Sequence, residues 1–145
     1  KEDCLSIALH AKPDVLNHNV ETVPSLYKSV RKGSLYHRSM TVLNNAKRFN
    51  PRGLTKSGVM VGLGETEDEL VSVFEDLKKN NVDILTIGQY LKPDSKSLDV
   101  QRYYHPDEFA KLKDIATQIG IPWVVSGPNV RSSYLAQEMF DTLQK

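Results

Sequence analysis

Cysteine is nearly absent from this chain: Cys4 is the only one in 145 residues. One thiol makes no intrachain disulfide and no cysteine metal knuckle. Such sparing use fits a reducing compartment. A charge excess is missing too, with 19 Lys and Arg against 18 Asp and Glu. A balanced chain has no field to draw nucleic acid or an anionic membrane surface, so neither is expected as a partner. The basic residues are dispersed, and Lys28, Arg31, Lys32 and Arg38 form the densest group. No apolar run approaches the roughly 18 residues of a membrane span. The opening Lys-Glu-Asp-Cys has neither the apolar core of a signal peptide nor an Arg-rich transit pattern. The expected location is therefore the cytoplasm. A transit peptide lying upstream would make it mitochondrial or plastid.

What is present is an ordinary globular composition, 39% hydrophobic and 26% charged, at the length of about one domain. Short β-rich runs alternate with amphipathic helices. Leu5 to Ala11 reads as the end of a helix, and Asp14 to Asn17 as a short strand. Pro24 to Arg31 reads as a helix stopped by Gly33. Ser39 is expected to cap a helix to Phe49 whose apolar face is Met40, Leu43, Ala46 and Phe49. Lys56–Val61 and Ile84–Leu91 read as strands, each followed by a helix. The helix from Glu67 to Asn80 would bury Leu70, Val73, Phe74 and Leu77. The helix opened by Pro106 would bury Phe109, Leu112, Ile115, Ala116 and Ile119. Pro122 to Ser126 is a last strand, and Tyr134 to Leu143 a last helix.

Repeated βα units of this length imply a parallel sheet with outer helices. Only about four strands are legible, and the first unit starts in mid-helix. The expected fold is α/β: the C-terminal half of a partial TIM-like (β/α) barrel, with residues 1–145 as one part of a single barrel domain. In such barrels chemistry sits on the loops after the strands. Those loops are 17–22, 62–66, 89–92 and 127–134, and they hold the least ordinary sequence of the chain.

Each loop has a functional and a plain reading. Asn17-His18-Asn19-Val20-Glu21-Thr22 gathers amides, an imidazole and a carboxylate, suited to a ligand with hydroxyl, amino and carboxylate groups. The same residues also make an ordinary capped turn. Gly62-Leu63-Gly64-Glu65-Thr66 leads a strand into a helix, where backbone N–H groups can meet an anion, but it lacks the lysine of a P-loop. Lys56 is either a carboxylate clamp, a Schiff-base lysine of aldolase type, or a solvated lysine at a barrel rim. Gln89 ends an apolar strand. Arg102-Tyr103-Tyr104-His105 binds anions or packs as a loop. Arg131-Ser132-Ser133-Tyr134 reads as a helix start or an anion site.

Taken together, three segments resemble lipoyl synthase: Asn17 through Pro24, Thr55 through Thr66, and Val130 through Tyr134. Asp83 through Leu91, and Arg102-Tyr103 with His105 through Phe109, are similar to that family as well. The spacing Gly58, Met60, Gly62, Glu65 matches the G-x-I-x-G-x-x-E strand of radical S-adenosylmethionine (SAM) enzymes. The resemblance implies a radical SAM sulfurtransferase with two 4Fe–4S clusters in a partial barrel. One cluster, on a C-x3-C-x2-C loop, cleaves SAM. The resulting radical takes hydrogen from C6 and C8 of an octanoyl group on a lipoyl-domain protein or H protein. The second cluster, held by three cysteines and a serine of R-S-S-Y, gives up its sulfur. A flavodoxin or ferredoxin is the implied reductant.

Carried over by position, Ser132 is the implied cluster ligand, with Ser133 the alternative. Asn17, Asn19 and Glu21 are expected to bind SAM polar groups, and Met60 to pack near adenine where Gly58 and Gly62 leave room. Lys56 and Glu65 are further SAM candidates. Gln89 and Arg102 are expected on the substrate side. No catalytic residue in the strict sense is expected in this chain. The departure from the family is the missing cluster cysteines, since Cys4 alone cannot hold a 4Fe–4S cluster and is expected merely to pack. The expectation is thus a fragment, inactive by itself. The alternatives are a cluster-free paralogue or subunit that binds a lipoyl-domain protein, another radical SAM sulfurtransferase similar to biotin synthase, and an aldolase using Lys56.

Overall fold

Four parallel strands in the order β1-β2-β3-β4 form one sheet. The structure is a computed structural model describing residues 2–133. The predicted helix from Tyr134 lies outside the described residues. The strands are β1 (Val15–Asn17), β2 (Leu54–Val61), β3 (Ile84–Gln89) and β4 (Trp123–Gly127). The helices are α1 (Glu2–His10), α2 (Tyr27–Val30, after a 3-10 turn at Pro24–Leu26), α3 (Tyr36–Phe49), α4 (Glu67–Lys79) and α5 (Pro106–Ile119). This is the expected open arc of a βα barrel.

Strand alternation divides the sheet into two faces. Val59, Val61, Leu85, Ile87 and Val124 turn outward into the helices, where they meet Leu70, Val73, Phe74, Leu77, Phe109 and Leu112 in one apolar cluster. The four residues predicted for the buried face of α4 are all 0% exposed. At about 1.5–3 kcal/mol per fully buried large side chain, that face alone contributes on the order of 6–12 kcal/mol before entropy is subtracted. The opposite face carries Lys56, Gly58 and Met60 on β2, level with Ile84, Thr86 and Gly88 on β3. It forms the concave side of the arc.

Helix ends follow their chemistry. Thr66 and Glu69 make a reciprocal capping box at the start of α4. His105 and Glu108 make another at α5, and Gly120 ends that helix at φ +101°. At the amino ends of the strands, Asp83 Oδ2 accepts from the Thr55 N–H at 2.7 Å and from Lys47 Nζ at 2.7 Å. That pairing pins β2 against β3 and α3.

Several expectations are corrected. Ser39 does not cap α3. The helix starts three residues earlier, at Tyr36, and Ser39 is buried within it, 3.5 Å from the Tyr27 hydroxyl that donates toward it. Phe49 is half exposed, packed edge-on against His10, because it sits on the last turn of α3 beyond the sheet. Cys4 is exposed, since α1 turns Leu9 inward instead. Gly33 does not terminate α2, which ends at Val30. The glycine serves a later turn at φ +80°. No described helix is long and apolar enough to cross a membrane.

Candidate functional site

The carboxyl ends of the strands frame a polar hollow of about 200 Å3 on the concave face. This lies below the roughly 300–1,000 Å3 of a complete small-molecule site, so it has room for only part of a ligand. Its wall begins just past β1. There the chain inserts one extra residue relative to β2: Asn17 pairs with Lys56, whereas Glu21 pairs with Val59. The Glu21 N–H donates to the Gly58 carbonyl at 2.9 Å, and the Met60 N–H donates to the Glu21 carbonyl at 2.8 Å. Glu21 takes φ +68° to do this, a strained setting for a residue with a side chain. The bulge throws Asn19 and Glu21 together into the hollow.

Asn19 lies against Gly58. A Cβ there would come within 3.0 Å of Asn19 Oδ1 and of Thr86 Oγ1. The missing side chain thus makes space for protein groups that lean in beside the hollow. Asn19 Oδ1 is buried and accepts no hydrogen bond among the described residues. A buried acceptor left open costs about 1–3 kcal/mol, so a donor reaching Asn19 Oδ1 would be favoured there. The hollow combines acceptors (Asn19 Oδ1, the Glu21 carboxylate) with a donor, the Arg131 guanidinium, while the Thr86 hydroxyl beside it donates to the Ser57 carbonyl at 3.4 Å. Those groups suit a ligand that carries both ammonium and carboxylate or hydroxyl functions.

The segment after β4 closes this face. Val130 turns back, its N–H donating to the Gly127 carbonyl at 3.1 Å. Val130 is 7% exposed, and its carbonyl oxygen fills the place where a Cβ on Gly88 would stand. Arg131 Nη1 donates to the Gln89 carbonyl at 3.3 Å. Lys56 Nζ donates to the Ser132 carbonyl. Residues 128–133 are therefore a strap across β3 and β2.

Asn19, Glu21, Gly58, Met60, Gln89 and Ser132 line the hollow, as do Thr86, Gly88, Leu91, Val130 and Arg131. Asn17, Gly62, Glu65, Lys56, Arg102 and Ser133 do not line it. Lys56 is neither solvated nor on a rim. It is 4% exposed beneath the strap, and burial holds its ammonium below the usual lysine range. Glu65 is committed to the glycine turn. Its Oε1 accepts from the Gly62 N–H at 2.6 Å and the Tyr104 hydroxyl at 2.9 Å, and its Oε2 from the Leu63 N–H at 2.9 Å. Burial, then the Glu65 charge, pushes the Tyr104 phenol up, which keeps it a donor. Space at Gly62 is taken by Gln89 Nε2 and the Arg102 carbonyl, not left open for a ligand. Gln89 Oε1 accepts from the Tyr104 N–H at 3.0 Å and its Nε2 donates to the Arg102 carbonyl at 3.0 Å, so this side chain ties the β3–α5 loop to the end of β3. Arg102 pairs with Glu108 at 2.5 Å and stacks on Tyr104, its guanidinium 3.9 Å from the ring centroid. The Tyr134 end of the serine motif lies outside the described residues.

Thr86 and Gly88 had a legible signal that the sequence reading did not use. They interrupt the apolar run of β3 at a spacing of two, which marks one face of a strand. His18 sits behind the hollow near Arg31. Burial and then the Arg31 charge hold its imidazole below the ordinary histidine range. The folded state therefore refuses a proton that the unfolded chain accepts. Stability is complete above about pH 6.5 and falls as the pH drops below it, by at most about 1.4 kcal/mol per pH unit. Urea midpoints between pH 7 and pH 5 are expected to show that slope, and His18→Gln to flatten it.

Half of a parallel barrel with polar loops and a glycine-bearing strand around a hollow at its strand ends defines a barrel of the ligand-binding, active-site-at-the-top class. No family model matches the chain. It is 51% identical to the lipoyl synthases of Koribacter versatilis, Halalkalibacterium halodurans and Bacillus subtilis over 144, 143 and 143 residues. Each alignment covers 99% of this chain and 47–48% of the relative. Over nearly its whole length the chain matches lipoyl synthases and corresponds to their C-terminal part. It spans about half the length of the relatives it matches.

Proposed function

We propose that this chain is one half of the reaction barrel of a lipoyl synthase, which inserts sulfur at C6 and C8 of a protein-bound octanoyl group. The observation that carries the reading is the bulge-built pair Asn19 and Glu21 facing Met60 and Thr86 beneath a serine-bearing strap. An open acceptor, a carboxylate, a thioether and a guanidinium fit the methionine end and polar groups of SAM. When bound, SAM supplies radical hydrogen-abstracting chemistry. Asn19 and Glu21 would take up its ammonium or hydroxyl groups, Arg131 would donate to its carboxylate, and Met60 would pack on an apolar portion. Gln89 holds the wall on the octanoyl side. Glu65 and Arg102 act behind the wall, through the glycine turn and the Tyr104 loop.

The iron–sulfur clusters do not fit the described residues. No group of three or more His, Cys, Asp or Glu side chains is placed among them to hold a metal ion. At most one serine of the pair Ser132 and Ser133 contributes a ligand, and the cysteines come from another segment. The carrier is an octanoylated lipoyl-domain or H protein, and the electron source a flavodoxin or ferredoxin. A second reading is a cluster-free subunit that binds the carrier. The aldolase reading loses its support because Lys56 is engaged under the strap.

The test uses the whole gene product, reconstituted with iron and sulfide and given SAM, reductant and an octanoyl-lysine peptide. Mass spectrometry is expected to show gain of two sulfurs. Ser132→Ala and Ser133→Ala, made separately, are expected to differ, one of them losing product by at least about 10²-fold. Peptide binding without sulfur gain in the reconstituted protein overturns the reading in favour of the subunit.

A further inference from the structure

The strap is fastened at both ends, and the far fastening has no part in lining the hollow. Lys56 projects from the concave face of β2, level with Asn17 on one side and Ile84 on the other. It is 4% exposed, although a lysine at that depth is expensive to desolvate. Among the described residues its ammonium meets no carboxylate. Its one hydrogen-bond partner there is the carbonyl of Ser132, 76 positions along the chain. That carbonyl belongs to the peptide unit joining Ser132 to Ser133. A donor on it orients the peptide plane from which both serines branch.

The rest of the strap is shaped to bring that peptide to the lysine. The bare Gly88 lets the Val130 carbonyl touch the sheet, and the buried Val130 side chain anchors the turn. Arg131 reaches the Gln89 carbonyl at 3.3 Å, which sets the strand-end side of the strap. Among the described residues, Lys56 alone holds the serine side. We infer that Lys56 is a positioning residue: its ammonium latches the Ser132–Ser133 peptide across the barrel face and so sets where the serine hydroxyls stand. This rests on the serine-bearing strap being part of the sulfur-insertion site, and it reassigns Lys56 from ligand contact to strap support.

The test compares Lys56→Met, which keeps the reach and loses the donor, with Lys56→Arg, which keeps a donor, in the whole gene product. Hydrogen exchange of the peptide covering residues 128–133 is expected to speed up by about tenfold in Lys56→Met, the loss of one charged hydrogen bond. Exchange in β2 and β3 stays as in the parent, which shows that the sheet still folds. Sulfur product falls by about tenfold while SAM affinity stays within about twofold. Lys56→Arg restores most of both. Unchanged exchange of 128–133 in Lys56→Met overturns the latch, as does a loss of SAM affinity with the strap still protected. If both serine-to-alanine variants keep full activity while Lys56→Met loosens the strap, the latch stands and the serine reading fails instead.

Discussion

Glu65→Ala lowers the free energy of unfolding by about 3–5 kcal/mol, a large share of the roughly 5–15 kcal/mol of a typical domain. Glu65 is 9% exposed and receives the Gly62 N–H, the Leu63 N–H and the Tyr104 hydroxyl. Each hydrogen bond to a charged acceptor is worth about 1.5–3 kcal/mol, and each donor left behind in a water-poor turn adds its desolvation cost. The turn cannot regroup easily. Gly62 is held at φ +99°, and its carbonyl already accepts from the Gln101 N–H at 2.8 Å. Losing Glu65 therefore frees the Gly62–Gly64 turn and the β3–α5 loop together. Guanidinium titration of the variant beside Tyr104→Phe, which deletes one donor to the carboxylate and is expected to cost about 1.5–3 kcal/mol, checks the argument. A loss below about 1 kcal/mol for Glu65→Ala would mean that water replaces the carboxylate and that the turn holds itself.

The same residue shows where sequence reading succeeds and where it stops. The glycines and the acid were visible, and so were the strand before them and the helix after. Those features depend on local periodicity and capping. The direction of the Glu65 side chain depends on Tyr104, 39 positions away. No local pattern encodes that. The buried face of α4 was legible because Leu70, Val73, Phe74 and Leu77 repeat at helical spacing. Ser39 was misread because a serine ahead of an apolar stripe has the local signature of a cap. Its burial comes from the neighbouring α2 region, where Tyr27 points toward it. The loops at the strand ends were marked by their unusual composition, which located the hollow. The division of labour within it was not legible. Gly58 and Gly62 read as clearance for a ligand, yet their missing side chains accommodate Asn19, Thr86 and Gln89. The bulge that aims Asn19 and Glu21 inward arises from a register slip between β1 and β2, a pairing property with no composition of its own.

On the proposed function, Gly88→Ala is expected to cut sulfur insertion by the whole gene product by about 10²-fold or more, the penalty typical of a displacement of about 1 Å in a catalytic site. The added methyl group would occupy the position of the Val130 carbonyl oxygen. That oxygen belongs to backbone, so no side-chain rotation relieves the clash. Either β3 gives way or the strap does. β3 is paired on both sides, with β2 through residues 84–89 and with β4 through residues 84–88. The strap rests on Val130, the Arg131 bond and the Lys56 bond, so it moves. Its displacement breaks the Lys56–Ser132 contact and carries the serines off the hollow. The stability cost is modest, about 1–3 kcal/mol, because the core behind the sheet is untouched. Activity and stability thus separate, and this distinguishes a strap that positions chemistry from one that merely covers apolar surface. Val130→Ala supplies the contrast. It deletes buried volume at the same turn, costs about 0.5–1.5 kcal/mol or somewhat more, and leaves the carbonyl contact with Gly88 in place. Product yield for Val130→Ala is expected to stay within about tenfold of the parent. Equal losses of activity in the two variants would mean that packing of the strap, rather than its register on β3, governs the site.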